Sequence, residues 1–76
     1  MTAEDLRKEL DKLYGESKHE ISENKDGTFR ILERDKYGNE IVYPRARLNE
    51  VRQGKYIVYD LDMGNFIWRF GVRANE

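Results

Sequence analysis

The chain contains no cysteine, one histidine (His19), one proline (Pro44) and no Asn-x-Ser/Thr acceptor. Without thiols there are no disulfides and no thiolate metal sites, and nothing points to an oxidising compartment. The longest uncharged apolar runs, Tyr56–Tyr59 and Phe66–Trp68, fall far short of the roughly 20 residues that a membrane-spanning helix needs. Residues 1–14 alternate charges with leucines and hold no apolar signal-peptide centre. These absences lead to the expectation of a cytoplasmic protein, in the host cytoplasm if the chain is viral. No membrane contact, cofactor or metal is expected.

Charge of one sign is also lacking. Charged residues make up 38% of 76 residues, yet the formal net charge is −1. A general nucleic-acid coat or a membrane-surface binder needs a clear positive excess. The halves differ mildly: residues 1–40 carry a net −3 and residues 41–76 a net +2. Five of the six cations in the second half are arginines, which favours an anionic contact there.

What is present reads as one small α+β domain: an N-terminal helix on an antiparallel sheet of about five strands. Thr2-Ala-Glu-Asp5 has the spacing of an N-terminal cap closed by an acidic residue. Ala3, Leu6, Leu10, Leu13 and Tyr14 recur at helical spacing up to Gly15, so a helix is expected over 3–14. Asn24-Lys-Asp-Gly27 and Asp35-Lys-Tyr-Gly38 both fit a type I turn closed by a glycine with positive φ. They join strands at about 18–24, 28–35 and 39–47, with Ile21 opposite Ile31, Glu23 opposite Phe29, Ile31 opposite Tyr43 and His19 opposite Glu33. Pro44 cannot donate to a ladder, so the third strand is expected to be an edge or to end there. Residues 48–54 read as a connector with one short helical turn anchored by Leu48 and Val51. The final strands, 55–62 and 65–73, hinge at Met63-Gly64 with Asp62 opposite Asn65 and Leu61 opposite Phe66. Whether strands three and four pair, and whether the sheet curls into a small barrel, stays open at this point.

The expected core combines Leu6, Leu10 and Leu13 with Ile21, Phe29, Ile31, Ile41, Tyr43, Ile57, Tyr59, Leu61, Phe66, Trp68, Phe70 and Val72. The opposite sheet face then holds Leu32, Val42, Val58 and Ile67 among Arg30, Arg34, Tyr56, Arg69 and Arg73. A solvated face is ordinarily more polar than this. Aliphatic groups framed by arginine and tyrosine have the composition of a protein interface, although arginine stems lying over scattered aliphatics give the same pattern. The candidate partner-binding residues are Arg30, Arg34, Tyr56, Val58, Ile67, Arg69 and Arg73. An alternative, a sheet-based binder of RNA or single strands, would use Arg45, Arg47, Arg52, Lys55, Arg69 and Arg73.

Catalytic patterns are weak. His19 has no second histidine or cysteine with which to share a metal, and no evident nucleophile beside it. Asp60-Leu-Asp62-Met-Gly64-Asn65 resembles the start of an EF-hand loop, but its glycine comes one position early and Gly71 stands where the closing glutamate belongs. The six glycines are dispersed, so no phosphate-cradling loop exists. No catalytic residue is assigned and an enzyme is not expected.

A helix followed by five strands is similar in element order to the Sm/Hfq plan, without that family's glycine and aspartate signatures. Gly54-Lys-Tyr-Ile-Val-Tyr59 through Phe70-Gly-Val-Arg73 looks loosely like the last strands of RelE/ParE-type toxins, with Ile57 where that family commonly has arginine. The reading that follows is a non-enzymatic module that binds a protein partner, or itself, through the Arg/Tyr/aliphatic face or a strand edge. Its size and style fit a phage- or virus-encoded inhibitor of a host or defence complex.

Overall fold

The computed structural model describes residues 1–73, with Val72 and Arg73 described as backbone only. Helix α1 spans Ala3–Tyr14, and five strands follow: β1 His19–Glu23, β2 Phe29–Arg34, β3 Glu40–Gln53, β4 Tyr56–Asp62 and β5 Ile67–Arg73. Their spatial order is β1-β2-β3-β4-β5, every neighbouring pair is antiparallel, and the sheet does not close into a barrel. No helix among the described residues is long and apolar enough to cross a membrane.

The helix begins as its sequence dictates. Thr2 Oγ1 accepts from the Asp5 amide and Asp5 Oδ2 accepts from the Thr2 amide, each at 3.1 Å, so two otherwise orphaned amides are satisfied reciprocally. Leu6 and Leu10 are fully buried. Leu13, expected in the core, is 56% exposed instead. The stripe ends at Tyr14, four residues after Leu10, whose ring stacks on Trp68 with centroids 5.2 Å apart.

Both early turns form as read. Gly27 and Gly38 have φ of 86° and 82°, and their amides bond back to Asn24 and Asp35. The registers are those expected, with Ile21 opposite Ile31, Ile31 opposite Tyr43 and His19 opposite Glu33.

Three expectations fail. First, no helical turn interrupts residues 48–54: β3 runs on to Gln53, and Arg47–Gln53 pair with β4, so strands three and four are neighbours. The second fails only in part: β3 does not end at Pro44, but it is an edge there as expected, because its residues up to 46 pair with β2 alone. Ile31 pairs with Tyr43 and Phe29 with Ala46, so the single residue Arg30 stands against two, Pro44 and Arg45. A bulge there accommodates the missing proline amide, and Asn24 Nδ2 donates to the Pro44 carbonyl at 2.8 Å. It also changes the alternation: odd residues face the core before it, and even residues after it. Ala46 is thereby fully buried and Leu48 packs against the core cluster. Third, the last hairpin is displaced by two residues. Leu61 faces Trp68 and Tyr59 faces Phe70, because the connection spans Met63–Phe66, closed by the Met63 amide on the Phe66 carbonyl at 2.9 Å. A two-residue shift leaves every side chain on its expected face.

The core thus joins Leu6 and Leu10 to Phe29, Ile31, Ala46, Tyr59, Leu61, Met63 and Phe70, with Ile21, Tyr43, Ile57, Phe66 and Trp68 packed around it. Ile41 shares the inward register but is 50% exposed, so it is not a core residue. Val72 belongs to the expected core, and its side chain lies outside the described set.

Candidate functional site

Even-numbered residues after the bulge on β3 face inward, so its odd residues face out and meet the outward residues of β4 and β5. The cross-strand rows are Arg47–Asp62–Ile67, Asn49–Asp60–Arg69, Val51–Val58–Gly71 and Gln53–Tyr56–Arg73. Val51, Val58 and Tyr56 stand on adjacent rows and form an apolar patch, whereas Ile67 lies two rows from Val58, beyond Asn49, Asp60 and Arg69. Val51, Tyr56 and Ile67 are 52%, 55% and 60% exposed, while Val58 at the centre of the patch is half-buried. Gly71, beside Val58, adds no side chain to shield it. Val51 was missed in the sequence because residues 48–54 read as a connector; its place is evident only once β3 continues.

The arginines around this patch are already engaged. Arg69 Nε and Nη2 donate to the two carboxylate oxygens of Asp60 at 2.7 and 2.9 Å. The bidentate contact holds the Asp60 carboxyl below its usual range and raises the Arg69 guanidinium. Arg34 is clasped between Glu20 and Glu40, the latter at 3.0 Å, on the outer face of the N-terminal half. Leu32 and Val42 pair on that same half. Arg30 and Arg47 are exposed and join no ion pair among the described residues. The Arg73 side chain lies outside the described set, although its backbone pairs with Tyr56.

The residues considered for nucleic acid do not share one surface. Arg47 and Arg69 are on the outer face, Arg52 is on the inward register opposite Ile57, Arg45 is in the bulge and Lys55 is in the β3–β4 turn.

A second constellation lies where α1 meets β1. The His19 side chain is almost fully buried, and neither ring nitrogen has a hydrogen-bond partner among the described residues. Tyr14 and Trp68 pack on its ring, with centroids 5.8 and 5.7 Å away. Glu33 brings Oε1 to 3.9 Å from Nε2, while its Oε2 accepts from the Tyr43 hydroxyl at 3.4 Å. Asp11 Oδ1 is also buried and unpaired, and its other oxygen takes Arg7 at 3.4 Å. No hydrogen bond joins Ser17 to His19 among the described residues, so this buried base has no nucleophile coupled to it. The described residues hold no group of three or more metal-ligating side chains.

Burial pushes the His19 imidazole below its ordinary pKa, with Glu33 and then Asp11 opposing the shift. The unfolded chain therefore takes up this proton first as pH falls. The contribution is complete above about pH 6.5 and is lost as pH drops towards the folded-state value. Thermal unfolding should show a falling midpoint between about pH 7 and pH 5. His19→Phe, which keeps a ring against Tyr14 and Trp68, should flatten that fall. A wild-type midpoint constant through the window would refute the burial argument. The carboxyls lowered by local hydrogen bonds (Asp5, Asp26, Asp35 and Asp60) titrate at lower pH and do not interfere.

Comparison with family models, curated proteins and solved structures finds no match to this chain.

Proposed function

We propose that the chain is a binding module and that the outer face of β3, β4 and β5 is its docking surface for another protein. The supporting observation is the cross-strand pair Val51–Val58, left uncovered by Gly71 and bordered by exposed Tyr56 on one side and the Asp60–Arg69 pair on the other. The sheet would need none of these aliphatics for its own core, which lies on the other face. Because Arg69 is already neutralised by Asp60, the centre of the contact is apolar and the Asp60–Arg69 pair belongs to its polar rim. A matching partner presents an aliphatic or aromatic strip rather than a strongly acidic one.

Nucleic-acid binding has less support, since its candidate cations divide between two faces, a bulge and a turn. It also demands a steep salt dependence that an apolar contact lacks.

Val51→Glu is the test. Val51 is half exposed, so the substitution should change stability by about 1 kcal/mol or less. Directly opposite Val58 at the centre of an apolar contact, the same change should weaken binding about thirtyfold or more. Immobilised wild-type and Val51→Glu proteins can be compared for capture from the native cell, with quantitative mass spectrometry. Proteins retained by the wild type and lost with Val51→Glu support the reading. Equal capture by two equally folded chains would sink it.

A further inference from the structure

We infer that a second copy of this chain pairs with the free edge of β5, antiparallel, about a two-fold axis at Phe70. This goes beyond the outer-face reading and does not depend on it, because the contact is made by the strand's backbone edge.

Among the described residues, β5 ends the strand order and is paired on one side only, with β4. An exposed edge of this kind is ordinarily blunted by proline, a bulge, lysine or an inward-pointing charge. β5 has no proline, bulge, lysine or inward charge: its seven residues pair with β4 in unbroken register, its inward residues Trp68 and Phe70 are aromatic, and of its two arginines Arg69 is held by Asp60. The opposite edge is managed differently. β1 is shorter, packs beside α1 and carries Glu20, Ser22 and Glu23.

The sequence of β5 also selects one self-pairing. Inward residues must meet inward residues, so only two-residue steps in register are allowed. With the axis at Phe70, all seven residues pair: Phe70 meets Phe70, Arg69 meets Gly71, Trp68 meets Val72 and Ile67 meets Arg73. Moving the axis to Arg69 sets that arginine against itself. Moving it to Gly71 sets Arg69 opposite Arg73 twice. Like charges directly opposite are destabilising, so both neighbouring registers are disfavoured. In the Phe70 register each Arg69 lies across from a residue with no side chain. The space around Gly71 is open, and Asp60 already holds the Arg69 guanidinium. The product is an isologous dimer with one continuous ten-stranded sheet.

Gly71 supplies the test. A Cβ built there meets nothing within 4 Å, and its φ is not in the left-handed region, so the isolated fold accepts a side chain. Gly71→Asp places a carboxylate opposite Arg69 twice per dimer, and Gly71→Lys places a cation there. Analytical ultracentrifugation of the full chain at low salt, up to about 1 mM protein, should show wild-type self-association. Gly71→Asp should tighten it about threefold or more, and Gly71→Lys should weaken it by a similar factor. Melting curves confirm that both variants fold.

Monomeric behaviour of wild type and Gly71→Asp throughout would overturn the inference, as would both substitutions shifting association in the same direction. Val51→Glu separates this proposal from the outer-face one, because Val51 lies on β3, away from the β5 edge. It should abolish capture of an outer-face partner yet leave the dimer in place, and loss of the dimer in a folded Val51→Glu chain counts against the edge.

Discussion

Truncating Leu10 to alanine should remove about 3 kcal/mol of folding stability, read as a lower urea midpoint. Leu10 is one of the largest fully buried side chains and presses the helix onto the sheet cluster of Phe29, Ile31, Leu61 and Phe70. A domain of this size holds on the order of 5 kcal/mol in total, so the variant should keep only about 2 kcal/mol and unfold at a much lower urea concentration. Leu13→Ala is the control. The two leucines are three residues apart on one helix, yet Leu13 is largely in solvent, and its loss should cost under about 0.5 kcal/mol. Equal losses at the two positions would mean that α1 is rotated about its axis relative to the packing described here.

An equally large effect is expected at Ala46, and it tests the bulge directly. Ala46 is fully buried while its neighbours Arg45 and Arg47 are exposed. Ala46→Glu forces a carboxylate among Phe29, Leu61 and Met63, with no room and no partner. Burying an unpaired charge is among the few mechanisms that exceed about 4 kcal/mol, so the cooperative transition should disappear. Arg45→Glu and Arg47→Glu should each shift the midpoint by about 0.5 kcal/mol or less. Without the bulge, regular alternation from Tyr43 would put residue 45 inside and residue 46 outside. If Arg45→Glu proves the destructive change and Ala46→Glu the mild one, the strand has no bulge.

The contrast between these positions also shows what was legible in the residues. The helix carried its own cap and stripe, and the first two hairpins carried glycine-closed turns that permit few registers, so those elements could be read locally. The last hairpin was readable by face but not by register, because Met63–Phe66 folds as a longer turn with Met63 buried, and a shift of two costs no change of side. β3 was the least readable. Its second half places Glu50 and Arg52, both exposed, on the inward register, so the alternation that announces a strand is polar on both sides. The extra residue at Pro44-Arg45 then reverses the pattern midway. The outer patch inherited that difficulty: Tyr56, Val58, Ile67 and Arg69 could be grouped from the hairpin alone, whereas Val51 could not. His19 was placed correctly opposite Glu33, but its enclosure depends on Tyr14 and Trp68 arriving from opposite ends of the chain.

β3 has one more consequence. Its residues 40–46 bond only to β2 and its residues 47–53 only to β4, so no residue of the strand belongs to both ladders. The two hairpin systems are therefore welded by one covalent thread and by greasy contacts beneath it, not by shared amides. Cooperativity between them is carried by side chains alone, and subglobal opening of the C-terminal ribbon need not break a single hydrogen bond in the N-terminal meander. Native-state amide exchange should therefore show β4 and β5 opening before β1 and β2.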